Sequence, residues 1–117
     1  MKPDRKICDL TAALKRMSGN VSILQQLVEY YREDVPPLVE RLRTGIATNN
    51  PAEVQQAAHS IKGLVVNFDA DSSTHAALQL EQMARSRDLT QAAPALETLE
   101  KEIARLNAAL EVELPKL

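Results

Sequence analysis

His59, Lys62 and Gly63 are the residues of this chain whose types and spacing could do chemistry. Steps of three and four residues place Lys62 and Gly63 beside His59 on one side of an α-helix. An unperturbed imidazole is largely neutral near pH 7 and offers a ring-nitrogen lone pair. A neighbouring ammonium stabilises an anionic group attached to that ring. A residue without a side chain leaves room over it, although a glycine inside a helix costs roughly 1 kcal/mol against alanine. The combination suits an exposed nucleophilic histidine that accepts an anionic group while another protein docks above it.

The helix that must carry these residues is legible in its apolar pattern. Val54, Ala58, Ile61, Val65 and Phe68 recur at steps of four and three and form one buried stripe. At about 100° per residue, His59 points roughly 160–200° away from Ile61, toward solvent. Ala52, Gln55, Gln56, Lys62, Gly63 and Val66 fall on the same outward sector. Ser60 follows the histidine directly. Asn50 can cap this helix, with Pro51 at its first position and Glu53 at capping-box spacing. The helix then runs to about Asn67. The bland alternative is a solvated His and Lys on an ordinary surface helix.

The other elements follow from the same reasoning. Residues 1–8 are polar and expected to fray. Asp9 caps a short helix carrying Leu10, Leu14 and Met17 on one face. Ser18-Gly19-Asn20 ends it and caps the next. That next stripe reads Leu24, Leu27, Tyr31, Val35, Leu38, Leu42 and Ile46. It keeps its phase across Pro36-Pro37, which predicts one long helix kinked near Asp34 to Pro37; two helices in line are the alternative. Asp69 to Ser73 reads as a turn. A helix with Ala77, Leu80 and Ala84 inward follows, with Glu81 and Arg85 on a neighbouring face. The last helix starts near Asp88 or Thr90 and carries Leu96, Leu99, Ile103, Leu106 and Leu110, with Pro94 in or just past its first turn. Residues 113–117 are expected to be loose. The expected fold is all-α: an up-and-down four-helix bundle with a short additional N-terminal helix, one domain over residues 1–117.

Composition narrows the function. The 117 residues carry a net charge of −2 with both signs mixed, which gives no footprint for nucleic acid and no polybasic membrane patch. No apolar run approaches the ~18 residues of a membrane span. Cys8 is the only cysteine, so an internal disulfide and a cysteine zinc cluster are excluded. A reducing cytoplasm is the expected location, and a cytoplasmic piece of a longer membrane protein would look the same. There is no Gly-rich phosphate loop, so ATP binding and kinase activity find no support. His75 lacks a Lys-Gly partner, and two histidines without a spaced carboxylate cluster make no zinc site.

The chain resembles the histidine phosphotransfer (HPt) domains of two-component phosphorelays over nearly its whole length. The resemblance is carried by Ala57-Ala58-His59-Ser60-Ile61-Lys62-Gly63 followed by Asn67-Phe68. Ser18-Gly19-Asn20, the stretch Tyr30-Tyr31-Arg32-Glu33-Asp34-Val35-Pro36-Pro37-Leu38, and Leu80-Glu81 with Ala84-Arg85 add to it. It implies that His59 accepts a phosphoryl group from a receiver-domain aspartyl phosphate and passes it to another receiver aspartate, with Lys62 stabilising the phosphoryl oxygens. It implies a phosphohistidine carrier with no kinase activity of its own and no cofactor, the catalytic Mg²⁺ being held by the receiver. Gly63, Ala52, Gln55, Gln56, Ser60 and Val66 would meet the partner. Glu81 and Arg85 would face the His helix as further partner contacts, with a plain i,i+4 surface ion pair as the competing reading.

Two positions depart from the family pattern. Leu64 follows Lys-Gly where a small residue is common, and it is expected to pack inward; Asp69 stands where Gly is common. These leave room for a second reading, a non-catalytic helical adaptor for a receiver-like partner. A third, the dimeric phosphoacceptor domain of a sensor kinase, usually has an acidic residue after the histidine and a proline soon after. Here Ser60 follows, and the next proline is Pro94. Four helices in one chain can also close a bundle alone, so a monomer is expected.

Overall fold

Three of the helices begin at short polar side chains that accept from an otherwise unpartnered backbone N–H. In the computed structural model, which describes residues 7–117, Asp9 accepts from Ala12 N at 3.1 Å and opens α1 (Leu10–Arg16). Asn20 accepts from Ile23 N at 3.2 Å and opens α2 (Val21–Ala47). Asn50 accepts from Glu53 N at 3.2 Å, with Pro51 in the first turn, and opens α3 (Pro51–Val65). A 3₁₀ turn, Val66–Phe68, ends α3. Next come α4 (Asp71–Arg85), α5 (Ala92–Glu113) and a closing 3₁₀ turn, Leu114–Lys116. No strand occurs among the described residues.

The four long helices form an up-and-down bundle in which α3 packs between α2 and α4, and α5 closes against α4 and α2. The short α1 lies against α2 and the 3₁₀ turn after α3. Leu24, Leu42, Ile61, Leu80, Leu99, Leu106 and Leu110 are fully buried. Each such side chain contributes about 1.5–3 kcal/mol of burial free energy. The aromatics Tyr31 and Phe68 meet edge to face with ring centres 5.5 Å apart. The Tyr31 hydroxyl donates to Asn107 Oδ1 at 2.6 Å, tying α2 to α5. Burial pushes this phenol well above its ordinary pKa, with Arg32 opposing weakly.

The α2 helix is one long helix through Pro36-Pro37, as its phase predicts, and not two in line. Other expectations need correction. The deepest positions of α2 are Leu24, Val28, Tyr31, Val35, Val39, Leu42 and Gly45, while Leu27, Leu38 and Ile46 are half-buried. The true stripe is therefore rotated slightly from the one read in sequence. At Gly45 the helix comes so close to α3 that an added Cβ would lie 2.9 Å from Val54 Cγ2. Helix α4 begins at Asp71, so Ser73 is helical and buried, its hydroxyl donating to Glu102 O at 3.4 Å. Helix α5 begins at Ala92, later than expected, because Asp88 turns back to accept from Thr90 N and Oγ1. The expected loose C-terminal end is instead helical to Glu113 and then turns. Of the frayed N-terminus, residues 1–6 lie outside the described residues. Cys8 is buried, and Asp9 N donates to Phe68 O at 3.0 Å, so the end of that stretch is held.

The turn after α3 decides how the His helix ends. Asp69 adopts the left-handed conformation with φ +49° and ψ +41°. Asp bears that conformation at some cost. Arg16 of α1 offsets it by donating Nη1 to both Asp69 carboxylate oxygens, at 2.6 and 2.8 Å. Its Nη2 donates to Val66 O at 3.4 Å and Asn67 O at 3.3 Å. One guanidinium thus secures the side chain of the turn and two carbonyls of the helix end. Leu64 packs half-buried against the core, as expected.

Candidate functional site

Helix α3 buries Val54, Ala57, Ala58, Ile61 and Val65, which fixes its rotation and aims position 59 outward. The His59 side chain is 66% exposed. Among the described residues one edge of the ring is held: Nδ1 lies 2.8 Å from Oε2 of Glu81. The Glu81 side chain, from α4, is 1% exposed. Its other oxygen, Oε1, accepts from Lys62 Nζ at 2.7 Å. Arg85, one turn further along α4, donates Nη2 to Oε2 at 3.2 Å. A buried carboxylate is thus the hub on which the imidazole, an ammonium and a guanidinium converge.

Burial alone would push the Glu81 carboxyl up. The hydrogen bonds from Lys62 and His59, with the positive charge they bring, outweigh burial and hold it below its ordinary 4.5. A buried carboxylate is tolerable only when paired and hydrogen-bonded in this way. Two cations face one anion, which leaves a surplus positive charge beside the ring. The far edge of the imidazole, with Nε2, is turned away from the hub. Gly63 is exposed and a Cβ built there would meet nothing within 4 Å, so the surface beside His59 is open. A shallow groove lined by Ala52, Gln55, Gln56, His59, Glu81 and Arg85 runs along the α3–α4 side of the ring. The arrangement can present a nucleophilic nitrogen to a docked partner and receive an anionic group there.

Residues 26–109, more than two thirds of the chain, match the Hpt domain family. The chain belongs to the Hpt domain family. As an Hpt domain it is a phosphotransfer module of two-component signalling, and Hpt domains interact with receiver domains. No curated protein and no solved structure matches it. No helix among the described residues is long and apolar enough to cross a membrane.

Within this Hpt domain the expected site residues are only partly brought together as expected. His59, Gly63, Ser60, Ala52, Gln56 and Val66 are exposed on the outward sector of α3. Lys62 is 27% exposed and leans onto Glu81 instead of standing free. Gln55 is half-buried. Arg85 is exposed and lines the groove. Glu81 was expected on a face neighbouring the inward one, turned toward the His helix as a partner contact, and it does face that helix. At 1% exposure it reaches no partner, and its place is beneath the histidine. His75 is exposed and bonds its own helix, Nε2 lying 3.2 Å from Gln79 Nε2. One residue of the site's edge escaped sequence reasoning. Arg41 reaches over from α2 to the Glu53 carboxylate and to Gln56 Oε1, bracing the groove's rim. Nothing in its local sequence marks it, because both partners lie on the next helix.

Proposed function

We propose that His59 is the phosphoacceptor of this Hpt domain. It takes the phosphoryl group from a receiver-domain aspartyl phosphate and gives it to the aspartate of a second receiver. The observation that carries this reading is one ring, largely exposed, anchored by Nδ1 to a buried carboxylate and flanked by open space at Gly63. The chain supplies the nucleophile and the docking face, and the Mg²⁺ of the reaction belongs to the receiver. Rate then depends on positioning and charge stabilisation. Arg85 and Lys62 offer positive charge to the phosphoryl oxygens, while Ala52 and Val66 give the receiver apolar contact with Gln55, Gln56 and Ser60 around it. We take the domain to act as a monomer.

The adaptor reading gains no support from the two residues that suggested it. Leu64 packs against the core, and Asp69 is compensated by Arg16. The test is incubation with a phosphorylated receiver domain. Acid-labile label is expected on His59 in the wild type and absent in His59→Gln. Label that persists in His59→Gln, or wild-type protein that binds the receiver without ever being labelled, rejects the proposal.

A further inference from the structure

The seam between α2 and α5 does not close. Because α3 packs between α2 and α4, this seam lies diagonally across the bundle from the α3–α4 side that holds His59. A cavity of about 700 Å³ sits in it, within the range of about 300–1,000 Å³ in which small-molecule sites fall. Its floor is Tyr31, Val35, Val39 and Ile103, core residues of which none is more than 9% exposed. Pro36 and Pro37 wall it on the α2 side. Proline has no N–H, so the carbonyl of Arg32, one turn before Pro36 on the same wall, lacks its helical donor and remains an acceptor.

The charges on the rim are uneven. At one end Arg32 of α2 and Glu111 of α5 carry one charge of each sign. The other end lies about 16 Å further along α2. There Arg43 donates Nη1 to Glu40 Oε1 and Nη2 to Glu100 Oε1. Two carboxylates thus share one guanidinium, and one negative charge is left over. Both Oε2 atoms are without a partner among the described residues. Arg41, next in sequence to Glu40, does not supply the missing charge, because Glu53 and Gln56 hold its guanidinium.

The geometry points to a binding site for an apolar amine: a ligand whose hydrocarbon body lies on Val35, Val39 and Ile103 and whose ammonium is held by the free Oε2 atoms of Glu40 and Glu100. The buried floor selects the body, since apolar surface placed on it leaves water. The surplus charge selects the head. An ammonium donates to both carboxylates, a hydroxyl gains nothing from their charge, and a carboxylate is repelled by it.

The test titrates the full chain, with ¹³C-labelled methyl groups, against three ligands that share one hydrocarbon chain and differ in the head: octylammonium, octanol and octanoate. Octylammonium is expected to shift the methyl signals of Val35, Val39 and Ile103 and to leave those of Val54 and Val65 on α3 in place. Its Kd is expected to be about 2–5-fold lower than that of octanol, the order of one solvent-screened ion pair, with octanoate the weakest of the three. Glu100→Gln balances the charge and is expected to erase the difference between octylammonium and octanol. Glu40→Gln combined with Glu100→Gln leaves Arg43 unpaired and is expected to invert the order, octanoate becoming the tightest. Both positions lie on the rim, and wild-type Val54 and Val65 signals show that the variants are folded. The inference is overturned if millimolar octylammonium moves none of the three cavity methyls, or moves all methyls equally, which marks detergent-like adsorption. It is overturned equally by octanol or octanoate binding the wild type as tightly, or by a head-group order that survives both variants. None of these outcomes bears on His59, whose labelling by a phosphorylated receiver is a separate measurement.

Discussion

Replacing Gly63 with alanine should make the protein more stable and a poorer phosphotransfer partner. Gly63 is the thirteenth residue of the fifteen in α3, with ordinary helical backbone rather than positive φ. A Cβ built there touches nothing within 4 Å, so no packing penalty opposes the substitution. What remains is helix propensity, about 1 kcal/mol in favour of alanine. For a domain of this size that raises Tm by about 3–5 °C. It moves the urea midpoint by about 0.5 M at an ordinary slope. The added methyl stands beside His59, one helical turn away, on the face where the proposed function docks the receiver. A misplacement of about 1 Å in a transfer geometry can cost as much as 100-fold. Urea denaturation gives the first quantity, and label transfer from a phosphorylated receiver, followed against time, gives the second. We expect a gain of about 1 kcal/mol together with a transfer rate reduced roughly ten-fold or more. A variant that is no more stable refutes the claim that this glycine is a pure helix cost. A variant that is more stable and transfers at the wild-type rate refutes the claim that the bare backbone serves docking.

Other perturbations test the frame around the site. Gly45→Ala meets Val54 Cγ2 at 2.9 Å and should cost about 1–3 kcal/mol of overpacking, only partly offset by propensity, so it destabilises where Gly63→Ala stabilises; the same urea measurement compares them, and Val54→Ala should relieve the clash. Glu81 is held below its ordinary 4.5, so its contribution is fully present above about that pH and is lost as pH falls through the lower folded value. Urea midpoints measured from pH 7 downward should therefore fall more steeply below pH 4.5 in the wild type than in Glu81→Gln. Asp69→Gly removes both the left-handed strain, about 1 kcal/mol, and a surface ion pair worth about 0–1 kcal/mol, so it should be close to neutral. Asp69→Ala keeps the strain and loses the pair, so it should be the less stable of the two by urea midpoint.

Much of this architecture was legible because each helix carries its own evidence. Capping side chains at Asp9, Asn20 and Asn50 sit where the sequence places them, and the α3 stripe is buried at every residue named for it. What could not be read was contact between helices. The α2 stripe was misplaced because Leu27, Leu38 and Ile46 are apolar enough to look central, while Gly45 has no side chain to count. The start of α4 was missed because Asp71, Ser72 and Ser73 read as turn residues. In the fold Ser73 is buried against α5 and Thr74 bonds back to Ala70 O at 2.8 Å. Arg16 and Asp69 are 53 positions apart, and no periodicity links them.

Glu81 faces the His helix as the resemblance implied, but its burial was missed although the signal was present. Arg85 four residues later suggests a surface pair, the commonest fate of that spacing. Yet Ala77, Leu80, Glu81 and Ala84 are spaced as one helical stripe, and all four are buried. A charge on an apolar stripe cannot be left unpaired, since burying it alone costs far more than a fold can spare. The stripe therefore demands cations from outside its own helix, and the facing sector of α3 offers Lys62 together with an imidazole that can donate. Taken as a constraint rather than an exception, one carboxylate inside an apolar pattern locates its partners on the facing helix, the exposed imidazole among them. Helix α4 thus does more than pack against α3: it supplies the carboxylate that meets one edge of the His59 ring.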